Sequence, residues 1–268
     1  MLLIRICLAI RLPTRGHRLL TFAVHNSVRY QETNRPAGRG RAVTIPVAGS
    51  ALLLIDVIND LAFEGSVSLV AQAEALAVRL AELKRRATAA GVPTIYINDN
   101  FGRWRSDFRQ TVAHCTARSS PGRRLSQRLR PTVRDYFVLK PKHSGFYDTT
   151  LDTLLESLRV RRVILTGIAG NICVLFTAND AYMRDLKVFA PADCIVSNTA
   201  ADNDHALHQI ESVLKGNVTP STQLTFRRAG RTRKAARKNS TVALQQSQGS
   251  GTMSRTQAER RHAGLAGR

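Results

Sequence analysis

A chain of 268 residues is long enough for one large domain or two small ones with a sizeable core. Its 40 Lys and Arg against 19 Asp and Glu give a net charge of +21, the usual signature of a nucleic-acid partner. Divided by region, that signature disappears from the part that can fold. Residues 1–42 hold 8 basic residues and 1 acid, and residues 226–268 hold 11 and 1. The stretch between them, 43–225, holds 21 basic and 17 acidic residues and carries only +4. The basicity belongs to the tails.

Residues 1–42 are Arg-rich, with no acid before Glu32, a composition like that of a mitochondrial transit peptide. The plainer reading is a disordered extension ahead of the true start. Arg5 and Arg11 interrupt the apolar residues there, so neither a signal-peptide core nor a membrane span is expected. Cys7, Cys115, Cys173 and Cys194 form no CxxC pair and no zinc-finger spacing. So few cysteines in so long a chain exclude a disulfide framework and point to a reducing, cytoplasmic compartment.

The middle region alternates strand and helix. Ala51 to Val57 is a continuous apolar run interrupted only by Asp56, as in a strand buried on both faces. Leu69, Ala73, Leu76, Leu80, Leu83 and Ala87 recur at helical spacing, and Gly91 closes that helix. Val92 to Asn98 reads as a second strand, followed by a polar loop from Asp99 that contains His114 and Cys115. A helix near Arg123 to Arg130, a strand Tyr136 to Leu139 and a short helix Leu151 to Leu158 follow. Arg162 to Thr166 is a fourth strand, leading to a helix from Phe176 to Arg184. Lys187 to Pro191 is a fifth strand, Asp202 to Leu214 a helix, and Asn217 to Thr219 a short sixth strand. From about Phe226 the chain is poor in large apolar residues and is expected to be disordered. This order predicts an α/β protein with three layers, α/β/α, in a Rossmann-like arrangement. Its sheet is mostly parallel, with about five or six strands. No GxGxxG follows the first strand, which disfavours a dinucleotide site and leaves no expected cofactor.

In open α/β sheets, ligands bind beyond the carboxyl ends of the strands. Asp56 ends the first strand, Lys140 follows the third and Cys173 follows the fourth. Each alone has a bland reading: a turn carboxylate, a solvated lysine, a buried small residue. Together they form a working set. A thiolate attacks carbonyl carbons, a carboxylate takes the thiol proton and returns it to a leaving nitrogen, and an ammonium favours both anions. Placement of Cys173 on the first turn of a helix, after Gly167-Ile168-Ala169-Gly170, is expected to lower its pKa further.

These residues carry a resemblance. Leu53-Leu54-Ile55-Asp56, Val138-Leu139-Lys140-Pro141-Lys142-His143-Ser144-Gly145-Phe146, and Leu165 through Cys173-Val174 are similar to motifs of the isochorismatase-like cysteine hydrolases. This is the superfamily of isochorismatase, nicotinamidase and N-carbamoylsarcosine amidase. The likeness spans about Ala51 to Thr222. It implies Asp56 as general base and acid, Lys140 as electrostatic partner and Cys173 as nucleophile. It also implies a cis peptide between Ile168 and Ala169, and an oxyanion hole from the N–H groups of Ala169 and Cys173. Lys142 rivals Lys140, which is preferred because it directly follows the strand.

Departures narrow the activity. The nicotinamidase branch holds a metal with an Asp-x-His motif after its second strand, whereas Asn98-Asp99-Asn100-Phe101-Gly102-Arg103-Trp104 has no histidine. No catalytic metal is therefore expected. The vinyl-ether hydrolases of the family lack the nucleophilic cysteine, so Cys173 favours C–N cleavage of a small amide, ureido or carbamoyl compound. Leu61 and Trp104 are assigned to the substrate pocket. The family implies self-association. Two alternatives stand: a vinyl-ether hydrolase of the same fold, and a non-catalytic protein whose basic tails bind RNA or acidic surfaces.

Overall fold

The structure is a computed structural model and describes residues 42–63, 66–100 and 107–228. Its centre is β2, Ser50–Ile55, a strand of Ser-Ala-Leu-Leu-Leu-Ile with every residue buried. Such a run has no polar face, so it must be covered on both sides. Flanking it are β3 (Thr94–Asp99) and β5 (Arg162–Ile168). β4 (Tyr136–Lys140) lies outside β3, and β6 (Lys187–Phe189) outside β5. A two-residue strand, β7 (Ile195–Val196), pairs with the end of β5, and all pairings are parallel. The six-stranded sheet runs in the order β4-β3-β2-β5-β6, with β7 off that path.

The period of two along β2 divides the core between the two faces. Leu52 and Leu54 join the cluster under α1 (Val67–Ala90), α2 (Phe108–Cys115) and α3 (Arg123–Arg128). Ala51, Leu53 and Ile55 join the opposite cluster under α4 (Leu151–Ser157), α5 (Leu175–Tyr182) and α6 (Ala200–Ser212). The three-layer arrangement expected from the sequence is the one observed. α1 buries the anticipated stripe with Ala77 added, and it ends at Gly91, whose φ of 94° is the left-handed cap that glycine adopts freely. Among the described residues no helix is long and apolar enough to cross a membrane.

The structure corrects several local readings. The segment after Asp99 is not loop throughout: Phe108–Cys115 is a helix whose cap, Asp107, accepts the Gln110 N–H at 2.8 Å. His114 and Cys115 therefore lie on α2, with Cys115 fully buried in the core. Asn217 makes only a single parallel bridge, to Phe189, in place of a sixth strand. A separate ribbon escaped the sequence reading: β1 (Val43–Pro46) pairs in parallel with β8 (Leu224–Arg227). The expected boundary at residue 225 falls inside β8, and Phe226 packs against the core. The basic segments 1–41 and 229–268, and Trp104, lie outside the described residues.

Candidate active site

Parallel registers bring the ends of four strands to one edge. Ile55 lies opposite Ile97 on one side and Gly167 on the other, while Asp99 lies opposite Lys140. Gly167 has φ 116°, and a Cβ there would sit 2.0 Å from the Ile55 carbonyl oxygen. Only glycine permits so close an approach of β5 to the end of β2. The chain leaves β2 at Asp56, which takes a left-handed φ of 51°, and its N–H donates to the Ile97 carbonyl at 2.8 Å.

Asp56, Lys140 and Cys173 meet at this edge. Lys140 Nζ lies 2.9 Å from Asp56 Oδ2 and 3.5 Å from Cys173 Sγ. Lys140 is fully buried and Asp56 only 5 % exposed, while Cys173 is half-buried. Lys142, the other lysine considered, is exposed. A second carboxylate, Asp99, reaches within 3.7 Å of Lys140 Nζ, and its N–H donates to Asp56 Oδ1 at 2.8 Å. The sequence reading passed over Asp99, although it too ends a strand. The strand-end rule finds it once β3 is extended by one residue.

The electrostatics correct an expectation. The Cys173 thiol is pushed up to about 12, mostly by burial and then by the Asp56 carboxylate, with Lys140 only partly opposing them. Burial likewise raises the Asp56 carboxyl, against the Lys140 charge and the hydrogen bonds from Cys173, Lys140 and Asp99. Lys140 moves up: burial disfavours its charge, but Asp56, Cys173 and Asp99 together prevail. Desolvation outweighs one ammonium at both groups, so the thiol and the carboxyl each hold a proton more tightly than they do in water. Cys173 is also not on the first turn of the α-helix, which starts at Leu175. Cys173 sits in a π-type turn, Gly170–Val174, ahead of α5. The resting site holds a neutral thiol beside a charged lysine and a carboxylate of raised basicity.

The turn that presents Cys173 is tightly tied. The Ile168–Ala169 peptide bond is cis. The Ala169 carbonyl accepts N–H groups from Ile172 at 3.1 Å and Val174 at 3.2 Å, and Ser197 Oγ accepts the Asn171 N–H at 3.0 Å. Among the described residues, the Ala169 and Cys173 N–H groups make no hydrogen bond outside the regular ladders. Leu61, expected beside the substrate, is 2 % exposed and belongs to the core cluster of Leu69 and Phe108. His114 pairs with Asp60 at 2.9 Å, on the loop that follows Asp56. Among the described residues no group of three or more His, Cys, Asp and Glu side chains is placed to hold a metal ion.

This fold is that of a known class. The family model for the isochorismatase domain matches residues 50–223, and the chain belongs to the isochorismatase family. It is an isochorismatase-family hydrolase. An uncharacterized isochorismatase family protein of Bacillus subtilis, YaaI, is 45% identical over 177 residues, covering 66% of this chain and 97% of that one. A ureidoacrylate amidohydrolase, RutB of an Enterobacter species, is 31% identical over 178 residues, covering 57% of this chain and 77% of that one. A cysteine hydrolase from Pseudomonas syringae pv. phaseolicola superposes with a TM-score of 0.54 at 27% identity, covering 67% of this chain and 92% of that one.

Proposed function

We propose that this hydrolase is a cysteine amidohydrolase that cleaves a C–N bond of a small amide, ureido or carbamoyl compound, using side chains without a metal. The observation that carries the reading is one buried ammonium, Lys140 Nζ, within reach of both Asp56 at 2.9 Å and Cys173 at 3.5 Å. Likeness to an enzyme named ureidoacrylate amidohydrolase and to one described as a cysteine hydrolase supports both the bond type and the nucleophile.

The mechanism follows from the charge balance. At rest the thiol keeps its proton, so no reactive thiolate waits in an empty site. When a carbonyl carbon reaches Sγ, Asp56 takes the thiol proton as the C–S bond forms; its raised basicity suits that transfer. Lys140 stays charged throughout and offsets the anion wherever it resides. The N–H groups of Ala169 and Cys173 face the developing oxyanion, where one such donor typically contributes about 100- to 1,000-fold in rate. Asp56 returns its proton to the leaving nitrogen, and ammonia or an amine departs. Water, deprotonated by Asp56, then attacks the thioester carbon and releases the acid and the thiol. One water is consumed, and the site ends as it began.

A screen of small amides, ureido and carbamoyl compounds, ureidoacrylate among them, for ammonia release tests this reading. On a substrate so found, Cys173→Ala is expected to lose about a thousandfold or more in kcat. A Cys173→Ala variant as active as wild type overturns the covalent mechanism. Release of pyruvate from isochorismate without dependence on the thiol establishes the vinyl-ether alternative instead.

A further inference from the structure

The segment that follows Lys140 is fastened to the helix that directly follows the nucleophile by side chains that the mechanism does not use. Thr177 is fully buried, four residues after Cys173. Its hydroxyl donates to the Cys173 carbonyl at 2.7 Å and accepts the Gly145 N–H at 3.0 Å. One turn on, the Asp180 carboxylate accepts the Ser144 hydroxyl, and Ser144 Oγ in turn accepts the Phe146 N–H at 3.1 Å. Just past α5, the Arg184 guanidinium lies 4.5 Å from the centre of the Phe146 ring. Residues 177, 180 and 184 fall at steps of three and four, on the helical stripe that Cys173 begins. The other side of the segment is equally constrained: a Cβ at Gly145 would come within 3.0 Å of Ile97 and 3.3 Å of Leu151.

We infer that Thr177 is a positioning residue for the reaction: through one hydroxyl it sets the separation between Lys140 and Cys173. The inference rests on Cys173 as nucleophile. A threonine bond to the carbonyl four residues back is ordinary in helices. What distinguishes Thr177 is the second bond, which takes the N–H of Gly145, five residues from Lys140. A hydroxyl has one donor and two acceptor lone pairs, and here it spends the donor on the nucleophile's backbone and an acceptor on the lysine-bearing segment. Valine has nearly the same shape but leaves the Gly145 N–H unpaired in a dry setting. The segment then shifts, and Lys140 loses its fixed distance from Sγ. Serine keeps both bonds.

The test is the rate of iodoacetamide alkylation at Cys173, mapped by mass spectrometry between about pH 6 and 10, in the full chain and its variants, with melting curves alongside. In Thr177→Val the profile is expected to move to higher pH, slowing the reaction at pH 8 about tenfold, because the thiolate loses part of its ammonium partner. Thr177→Ser is expected to rescue the wild-type profile to within about twofold. A valine variant with lower melting but an unshifted profile makes Thr177 an ordinary packing residue and overturns the inference. So does a serine variant as impaired as valine. If the valine variant does not fold, Ser144→Ala decides, since it releases the same segment from Asp180: an upward shift supports the inference and an unchanged profile refutes it. Preferential labelling of Cys115 or Cys194 in the wild-type chain refutes the nucleophile itself, a failure visible before any variant is made.

Discussion

Replacing Asp56 by asparagine should uncouple thiol ionisation from turnover. In the wild-type site the thiol faces a nearly neutral pair, Lys140 and Asp56 at 2.9 Å, and burial holds its proton in place. The asparagine oxygen retains the acceptor for the Asp99 N–H, now made at 2.8 Å to Asp56 Oδ1. The compensating charge is gone. Lys140 then faces Sγ at 3.5 Å. At that distance, with an effective dielectric of about 20, ammonium and thiolate attract by about 5 kcal/mol. Asp99, at 3.7 Å from the same ammonium, offsets a share of this. A remaining gain of about 1.4 kcal/mol is enough to raise the ionisation constant tenfold. Asp56→Asn should therefore titrate its thiol at lower pH than wild type, read as thiolate ultraviolet absorbance or as faster alkylation at pH 8. Turnover should fall about 100- to 10,000-fold, because no group takes and returns the proton. A variant thiol that titrates at or above the wild-type pH would show that the Asp56 charge does not act on Cys173, and the proton-transfer scheme would fall with it.

Two further substitutions probe the same edge. Lys140→Met leaves Asp56 and Asp99 without their buried counter-ion and should cost about 3 to 5 kcal/mol at pH 7, lowering Tm by about 6 to 20 °C. Asp56 already binds its proton more tightly folded than unfolded, and losing Lys140 raises its carboxyl further. A group raised in this way loses its contribution as pH rises through the folded value, so the gap from wild type is widest at neutral pH and narrows toward pH 4. Thermal melts that show an equal gap at both pH values would refute the pairing. Gly122→Ala would place a Cβ 2.0 Å from the Asn59 carbonyl oxygen, on the loop after Asp56. It should cost about 1 to 3 kcal/mol of stability and also reduce turnover, and a melt unchanged from wild type would mean that α3 does not brace that loop.

Some elements of this fold are written locally in the chain and others only in its packing. β2, β3 and β5 were legible because strands buried on both faces must be apolar at every position. α1 was legible because a long helix repeats its stripe often enough to be recognised. α2 carried a usable signal that went unread: Asp107 as cap and Phe108, Thr111, Val112 and Cys115 as a buried stripe. β1 and β8 carried almost none. Four residues hold too few alternations to count, and their partner strands lie at opposite ends of the folded region. Thr177 and Asp180 looked like ordinary polar helix residues until Gly145 and Ser144 were seen to pack against them.

By itself the sequence determined which residue types stand at the ends of which strands, because strand and helix patterning are local properties of the chain. From that alone, Asp56, Lys140 and Cys173 could be placed at one edge. Only the tertiary structure decided their protonation. A sequence shows the lysine and the helix that favour a thiolate, but it does not show how much water is removed. Desolvation depends on everything packed around the group, and here it outweighs the nearby ammonium and holds the Cys173 thiol well above its ordinary value.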